Sequence, residues 1–318
     1  MHNITKKIWS ALAVFLVSAT VVAAQTCSCA GAPLISSQSI STTSQGNLLL
    51  GITYGHKEIS ELYQADNKLK NTTVERSTQS TLIELNYGIT NRLTISGTAT
   101  YVRKRRLGLQ SNDELITTGI GDGVVLLKYV LHQNTIKEQY QLAVGAGAKI
   151  PFGKTSLTND GIGLNLDMQP GTGAWDGVAW SYFSKTFAPV TTINLFLFST
   201  YRATGSAERF GENDNYEFGN ELLINIGATN NITSDLSYIG TISYRSTSSD
   251  LRNENKLPNT GGKWINLEPA LKYQLTDGLS IKASGEIPIY QYLNGLQPTT
   301  SYTASISLFY NFGKKVIF

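Results

Sequence analysis

Apolar and polar residues alternate along most of the chain from Gly46 onward. In segments of about ten residues, every second position holds a large apolar side chain. Successive side chains of a β-strand point to opposite faces, so this pattern predicts strands with one face in an apolar environment. About twelve such segments follow one another, and clear examples cover residues 48–54, 93–101, 140–150 and 302–312.

The links between the predicted strands alternate between short and long. Short links fall at Thr90-Asn91, around 132–137, at Ala188-Pro189, around 230–233 and at 276–278. Long polar links fall at about 58–78, 103–119, 153–170, 203–218, 246–262 and 291–300. A soluble β-sandwich gives no reason for this alternation, whereas an up-and-down transmembrane barrel has short turns at one end and long loops at the other. We therefore predict an all-β fold, a transmembrane antiparallel barrel of about 12 strands.

Tyrosines gather near both ends of the predicted strands. Amphipathic rings are typical of the two water–lipid interfaces of a membrane barrel, so the two groups predict two aromatic belts. One group lies near the short turns and comprises Tyr87, Tyr129, Tyr140, Tyr238, Tyr273 and Tyr310. The other lies near the long links and comprises Tyr54, Tyr101, Tyr201, Tyr244 and Tyr302.

The composition argues against a helical membrane protein and against a disordered chain. Only 15% of the 318 residues are charged, against about 25% in soluble proteins, and the mean hydropathy is −0.12. Beyond the N-terminus, no stretch approaches the 18 or so apolar residues that a membrane helix needs. The plentiful aliphatic and aromatic residues argue against a disordered chain.

The N-terminus has the layout of a secretory signal peptide over residues 1–24. Lys6 and Lys7 precede the mostly apolar run Ile8–Val22, and small residues lead to a cleavage site after Ala24. A membrane anchor is the alternative, but the run is short and interrupted by polar residues. Residues 1–24 hold two Lys and no acid, so 24 basic and 23 acidic residues remain after cleavage. This balance gives no electrostatic reason to expect nucleic-acid binding.

Residues 25–45 are predicted to form a flexible periplasmic segment that carries both cysteines, Cys27 and Cys29. In an oxidising compartment the pair forms a local disulfide or stays an inert part of the segment. Alternatively, two thiolates bind a soft metal such as Cu(I) with a partner that completes the site. A lipid anchor on Cys27 is the third alternative. We expect the barrel itself to span residues 46–318 and to need no cofactor.

Several motifs resemble one family, the outer-membrane transporters named for a meta-pathway of phenol degradation. They are Tyr87-Gly88-Ile89-Thr90-Asn91-Arg92-Leu93, Gly119-Ile120-Gly121-Asp122-Gly123, Leu127-Lys128-Tyr129, Gln169 to Asp176, Pro258 to Gly262, and Ile287 to Gln297. The resemblance extends over about 80–312 and depends on the order and spacing of these motifs. It implies a membrane barrel and a transport role, and it implies no catalytic residues.

Charged residues with the parity opposite to the apolar face are predicted to face the lumen. They are Glu84, Lys149, Glu221, Arg245, Glu268, Lys272, Lys282 and Glu286. Charges inside a barrel must be hydrated or paired, so these residues form either a salt-bridged plug or a narrow polar permeation path. Phe196, Phe198 and Trp264 share the lumen parity. They either line a path for hydrophobic solutes or mark a local change of register within the apolar run 193–198.

The sequence does not predict an enzyme. The mature chain has two histidines, His56 and His132, at opposite ends of the predicted barrel, and neither lies near a nucleophile motif. An acidic and histidine site that combines His56 with Asp122 or Asp176 is the one catalytic alternative.

The function expected from these observations is a channel or transporter for a small solute, with aromatic and hydrophobic compounds as first candidates. A non-conducting binding or structural barrel, whose Cys-Ser-Cys segment serves a periplasmic partner or metal, is the alternative. We expect the outer membrane of a Gram-negative bacterium, with both termini periplasmic. The expected partners are outer-membrane lipid, a small-molecule solute and, during biogenesis, the barrel-assembly machinery. The aromatic strand ending at Phe312 resembles the signal that this machinery reads.

Overall fold

Twelve long antiparallel strands form a closed barrel in the computed structural model. The structure describes residues 42–70, 74–107, 114–133, 139–187, 193–209 and 214–313. The barrel strands are β1 (Leu48–Ile59), β2 (Arg76–Gly88), β3 (Leu93–Leu107), β4 (Gly123–His132), β5 (Tyr140–Ile150), β6 (Asp176–Phe187), β7 (Ile193–Ala203), β8 (Glu221–Asn231), β9 (Leu236–Thr247), β10 (Gly262–Gln274), β11 (Leu279–Thr299) and β12 (Tyr302–Phe312). This confirms the predicted fold and strand number. Cys27, Cys29, the predicted signal peptide and the link at Ala188-Pro189 lie outside the described residues.

Each strand pairs with the next one in sequence, and β12 pairs with β1 from Leu48↔Phe312 to Glu58↔Tyr302. Closure leaves no strand with an unpaired edge, which is a requirement for a sheet surrounded by lipid. The described turns after β2, β8 and β10 span only 89–92, 232–235 and 275–278, and their side of the barrel is called the short-turn end. The opposite side is called the long-loop end.

Three of the predicted long links are largely strand, contrary to expectation. Glu114–Ile120 pairs with β3, and Glu61–Ala65 pairs with the last residues of β11. The predicted link 291–300 is also strand, with a sharp bend where Gly295 has φ 74°. Beyond the apolar environment a strand needs no apolar face, so its sequence looks like a polar loop.

Side-chain burial alternates along the barrel strands with a polar inside and an apolar outside. On β2, Ile83, Leu85 and Tyr87 are exposed, whereas the intervening Glu84 and Asn86 are buried. This reverses the arrangement of a soluble protein and suits a wall that contacts lipid. Among the described residues, no helix is long and apolar enough to cross a membrane.

Residues 42–45, the end of the predicted flexible segment, contact the barrel at its short-turn end. The backbone N–H of Thr43 donates to Thr94 Oγ1 on β3 at 3.0 Å, and Gln141 Nε2 on β5 donates to Thr42 Oγ1 at 3.0 Å. Thr94 is fully buried and faces inward. The chain before β1 therefore lies across part of the short-turn mouth.

A charged residue on the outward wall is predicted to destabilise the barrel most when it lies midway between the two tyrosine belts, and least when it lies beyond them. Leu127→Arg on β4 should lower the unfolding free energy by about 2–4 kcal/mol, because Leu127 lies between the tyrosine belts. Ile116→Arg is the matched control, since Ile116 is similarly exposed but lies beyond the position where Tyr101 pairs with Ile120. It should cost about 0–1 kcal/mol. Urea unfolding in lipid vesicles measures both, and equal losses would contradict the proposed lipid-facing zone.

Candidate permeation path

The structure places the eight predicted lumen charges at inward-facing positions on β2, β5 and β8 to β11. Lys149, Glu84 and Lys282 are buried, and the remaining five are partly buried. They separate into two groups. Lys149, Glu221 and Arg245 lie towards the long-loop end. The other five lie deeper in the lumen: Glu84 on β2, Lys272 paired to Lys282, and Glu268 beside Glu286 in the β10–β11 register.

The first group belongs to a belt of alternating charges on six consecutive elements. Its members, from just before β4 to β9, are Asp122, Lys149, Asp176, Arg202, Glu221 and Arg245. Lys149 Nζ lies 2.8 Å from Asp176 Oδ2 and 3.4 Å from Asp122 Oδ2. Arg245 Nη2 lies 2.7 Å from Glu221 Oε2, and Arg202 lies 3.9 Å from both Asp176 and Glu221. Alternation of sign lets each buried charge face an opposite one, which offsets its desolvation.

Asp122, Asp176 and Arg202 were missed as lumen charges in the sequence. Asp122 lies just before β4 and Asp176 is the first residue of β6, where the alternating pattern begins, so parity alone does not assign them a side. The catalytic alternative that joined them to His56 is wrong. His56 faces outward next to Glu58 at 3.4 Å, while both aspartates face inward and are nearly fully buried.

Deeper in the lumen, acidic and basic side chains approach each other across the barrel. Glu84 on β2 interacts electrostatically with Lys128 on β4 and with Lys282 on β11. Asn86 Nδ2 donates to Glu84 Oε1 at 2.7 Å, and Ser96 Oγ donates to Asn86 Oδ1 at 2.5 Å. On the β10–β11 side, Asn266 Nδ2 donates to Glu286 Oε1 at 2.5 Å. Lys128, which the parity analysis left out, thus joins the predicted charges.

The wall of β4 to β7 is apolar on the inside as well. Its aromatic members are Trp180 and Tyr182 on β6 and Phe196 and Phe198 on β7, which pack with Val130 and Ala143. The β6–β7 register is regular through this region, so the interpretation of the run 193–198 as a register change is wrong. The Phe196 ring fills the space where a side chain at Gly227 would lie. Trp264 is also buried and inward, and Arg245 lies over its ring.

Below the belt, the lumen therefore has two chemically different sides. There strands β4 to β7 present mostly apolar and aromatic side chains, and the remaining strands present mostly Ser, Thr, Asn and charged side chains. Lys128 lies where the two sides meet, with its Nζ 5.1 Å from the centre of the Trp180 ring.

Residues 151–175, called the inserted segment, lie across the long-loop mouth. Its residues Leu166, Met168, Gln169 and Thr172 are buried, and Leu166–Met168 form a short 3-10 helix. Lys104 Nζ on β3 donates to the backbone carbonyls of Asp167 and Gln169 at 2.9 and 2.7 Å. Inward-facing side chains of the wall thus hold the backbone of this segment.

The belt anchors the two ends of the inserted segment. Asp122 accepts the backbone N–H groups of Thr172 at 2.9 Å and Gly153 at 3.2 Å. Lys149 Nζ donates to Thr172 Oγ1. Separately from the belt, Arg76 Nη1 on β2 lies 2.7 Å from Asp167 Oδ2. The belt therefore links neighbouring strands of the wall and also positions the segment that narrows the mouth.

Neighbouring loops cover the inserted segment. The short strands Ser206–Arg209, Asp214–Glu217, Leu251–Arg252 and Asn255–Lys256 form one small sheet. Its Tyr216 and Phe218 pack with Leu166 and Leu257. Burial raises the pKa of the Asp250 carboxyl, although it accepts hydrogen bonds from the Tyr216 hydroxyl at 2.5 Å and the Gly219 N–H at 2.8 Å.

The closed barrel, its polar and aromatic interior and its narrowed mouth together give the protein the fold of an outer-membrane channel. It resembles the COG4313 outer membrane channel from Pseudomonas putida F1 with a TM-score of 0.71, at 12% identity, over 87% of this chain and all of that one. A Pseudomonas aeruginosa FadL homologue aligns over 84% of this chain and 90% of its own, at 12% identity and a TM-score of 0.43. The transport unit of the Escherichia coli autotransporter AIDA-I covers the same shares at 11% identity and 0.47.

The particular family follows from the sequence model that matches the chain. The model described as "Putative MetA-pathway of phenol degradation" matches residues 71–292. The chain belongs to this family, which confirms the resemblance found in its motifs. No curated protein sequence matches the chain.

The belt predicts a large cost for removing its central cation. Lys149→Met should lower the unfolding free energy by about 3–5 kcal/mol, because it leaves the carboxylates of Asp122 and Asp176 buried without a partner. It should also speed cleavage by trypsin at Lys154, which is already exposed, because the inserted segment loses an anchor. Arg105→Gln is the control, since its pair with Glu114 is solvent-exposed and contributes little to stability. Equal stability and equal cleavage of the two variants would refute this role of the belt.

Proposed function

We propose that this protein is an outer-membrane channel for small solutes, with its short-turn end and both termini in the periplasm. The observation that carries the proposal is the lining of the lumen, whose charged and aromatic side chains point inward beneath a mouth narrowed by the inserted segment. Buried charges cost desolvation energy, and a hydrated path for solutes lowers that cost. The family and the fold described above support the proposal.

The solute that suits this lumen has an aromatic or apolar part together with a polar group. Such a molecule places its ring against Trp180 and Phe198 and its polar group towards Lys128 and Glu84. Aromatic pairs contribute about 0.5–1.5 kcal/mol beyond the burial of area. The proposed partners are the barrel-assembly machinery during biogenesis and, in the folded protein, outer-membrane lipid and this solute. The absence of enzymatic activity stays a prediction.

A non-conducting barrel is the second candidate function, and the inserted segment is the observation that favours it. Its buried residues and its anchors on β2, β3 and β5 cover part of the mouth. In that case the Cys27–Cys29 segment, which lies outside the described residues, serves a periplasmic partner or metal.

Planar-bilayer recording distinguishes the two functions. The refolded protein from Gln25 onward should give small, reproducible channel steps. Lys104→Met should raise the conductance several-fold, because it removes the donor that holds the carbonyls of Asp167 and Gln169. Arg105→Met is the matched control: it lies next in sequence but faces outward, and it should leave the conductance unchanged. Silence of both folded variants and of the parent would overturn the channel function in favour of the non-conducting barrel.

The aromatic side of the lumen is tested by solute competition. A small aromatic carboxylate should reduce the channel current at lower concentration than a sugar of similar size. Phe198→Leu should weaken this block about three- to tenfold, since it keeps the volume but removes a ring contact of about 0.5–1.5 kcal/mol. Phe183→Leu, at an outward-facing position on β6, is the control and should change nothing. Equal block by both solutes would contradict the proposed substrate class.

A further inference from the structure

The outward wall of β9 to β12 contains a row of positions without large side chains. Gly240 on β9 pairs with Pro269 on β10, and Gly285 on β11 pairs with Ala304 on β12. The flanking pairs Leu267↔Ile287 and Ala270↔Ser284 place Pro269 beside Gly285. Ala304 pairs with His56 on β1, so the row crosses five strands. This row is called the furrow.

Larger apolar residues border the furrow on both sides. They are Ile242, Leu267, Ile287 and Tyr302 towards the long-loop end, and Tyr238, Leu271, Ile306 and Tyr54 towards the short-turn end; all are exposed. Five strands at the usual spacing give the furrow a length of about 19 Å, and each border lies about 7 Å from its floor along the strands. The floor and the short-turn border, to which β11 contributes only the small Ala283, line a groove with a volume of about 710 Å³.

The furrow is inclined relative to the membrane. Gly240 lies near the short-turn end of β9, whereas His56 lies near the long-loop end of β1. Strands of membrane barrels tilt by about 35–45°, so a row across them climbs from one interface towards the other. Its upper end reaches the tyrosine belt at Tyr54 and Tyr302. There the His56 ring lies 6.2 Å from the ring of Tyr302 and 3.4 Å from Glu58 Oε2.

We propose that the furrow binds one acyl chain of an outer-leaflet lipid, whose headgroup lies at the end formed by His56, Tyr54 and Tyr302. The inference rests on the proposed placement of the barrel in the outer membrane. The furrow is continuous with the outward apolar wall, so the molecules that meet it are lipids. A lipid chain seated in the furrow contacts its floor and both borders, whereas an empty furrow forfeits the dispersion energy of its lining.

The shape of the furrow selects a chain rather than a second barrel. A neighbouring barrel presents a broad convex wall, which the raised borders keep away from the floor. A flexible acyl chain is one carbon wide and follows the inclined floor. His56 and Glu58, which can carry charge, lie beside the upper end of the furrow. This position matches a molecule that is apolar along its length and carries a polar headgroup at one end.

The floor offers substitutions that fill the furrow without disturbing the fold. A Cβ built on Gly240 has no other atom within 4 Å, and one on Gly285 has its nearest neighbour, the Thr303 carbonyl oxygen, at 3.9 Å. Gly240→Leu with Gly285→Leu therefore places two side chains on the floor. Gly97→Leu is the matched control, because Gly97 also has open space around its added Cβ and pairs with the outward-facing Leu85, and both lie on β2 and β3, outside the furrow.

Native mass spectrometry of the full protein, released from outer membranes in a mild detergent, tests the proposal. The parent protein and Gly97→Leu should retain one lipid, and the double variant should lose at least tenfold in lipid occupancy. Equal occupancy in all three proteins would overturn the proposal, as would a parent protein without lipid. A parent dimer that the double variant abolishes would overturn it too, because the furrow would then bind a second copy.

The result is separable from that of the channel function. Conductance of the same proteins is recorded in parallel. If none of them conducts but the double variant still loses the bound lipid, the channel function is overturned and the lipid site is supported. A conducting barrel with unchanged lipid occupancy overturns the lipid site alone. Ala304→Leu fills the furrow from a position that already carries a Cβ, so it supplies the test if the double variant does not fold.

Discussion

Closure of the sheet is the constraint on which the rest of this structure depends. The pairing of β12 with β1 removes the last free edge, so every strand satisfies its backbone groups on both sides. Once the wall is closed, each residue of a strand faces either outward or inward. The outward positions carry Ile, Leu and Tyr, and the inward positions receive nearly all of the polar side chains. The pattern that predicts the fold is a direct consequence of this division.

A closed wall creates a second problem, because its interior must accommodate the charges that the outside excludes. The belt from Asp122 to Arg245 solves it by placing opposite signs on neighbouring strands, with Lys149 between two carboxylates. The same groups also bind the backbone of the inserted segment at Thr172 and Gly153. Stability of the wall and shape of the mouth thereby depend on one network, and a change at the mouth is coupled to the wall.

The sequence predicted the architecture well, because period-two alternation is a local property. The strand number, the two tyrosine belts and the family could be derived without the structure. The loops were less predictable: Glu114–Ile120 is a strand with polar residues on both faces, and no periodicity distinguishes it from a loop. The inserted segment was not anticipated at all, since the contact of Lys104 on β3 with Asp167 joins residues that are distant in sequence. Asp122 and Asp176 were missed because they lie where a strand begins and parity does not yet assign a side.

The two sides of the lumen have a consequence for the proposed channel function. Trp180 and Phe198 on one side and Glu84 and Lys282 on the other give the interior a fixed difference in polarity across its width. An amphipathic solute in such a channel would keep one face towards each side and would not rotate freely. The channel would then sort solutes by the arrangement of their polar groups as well as by their diameter, so that positional isomers of equal size would pass at different rates.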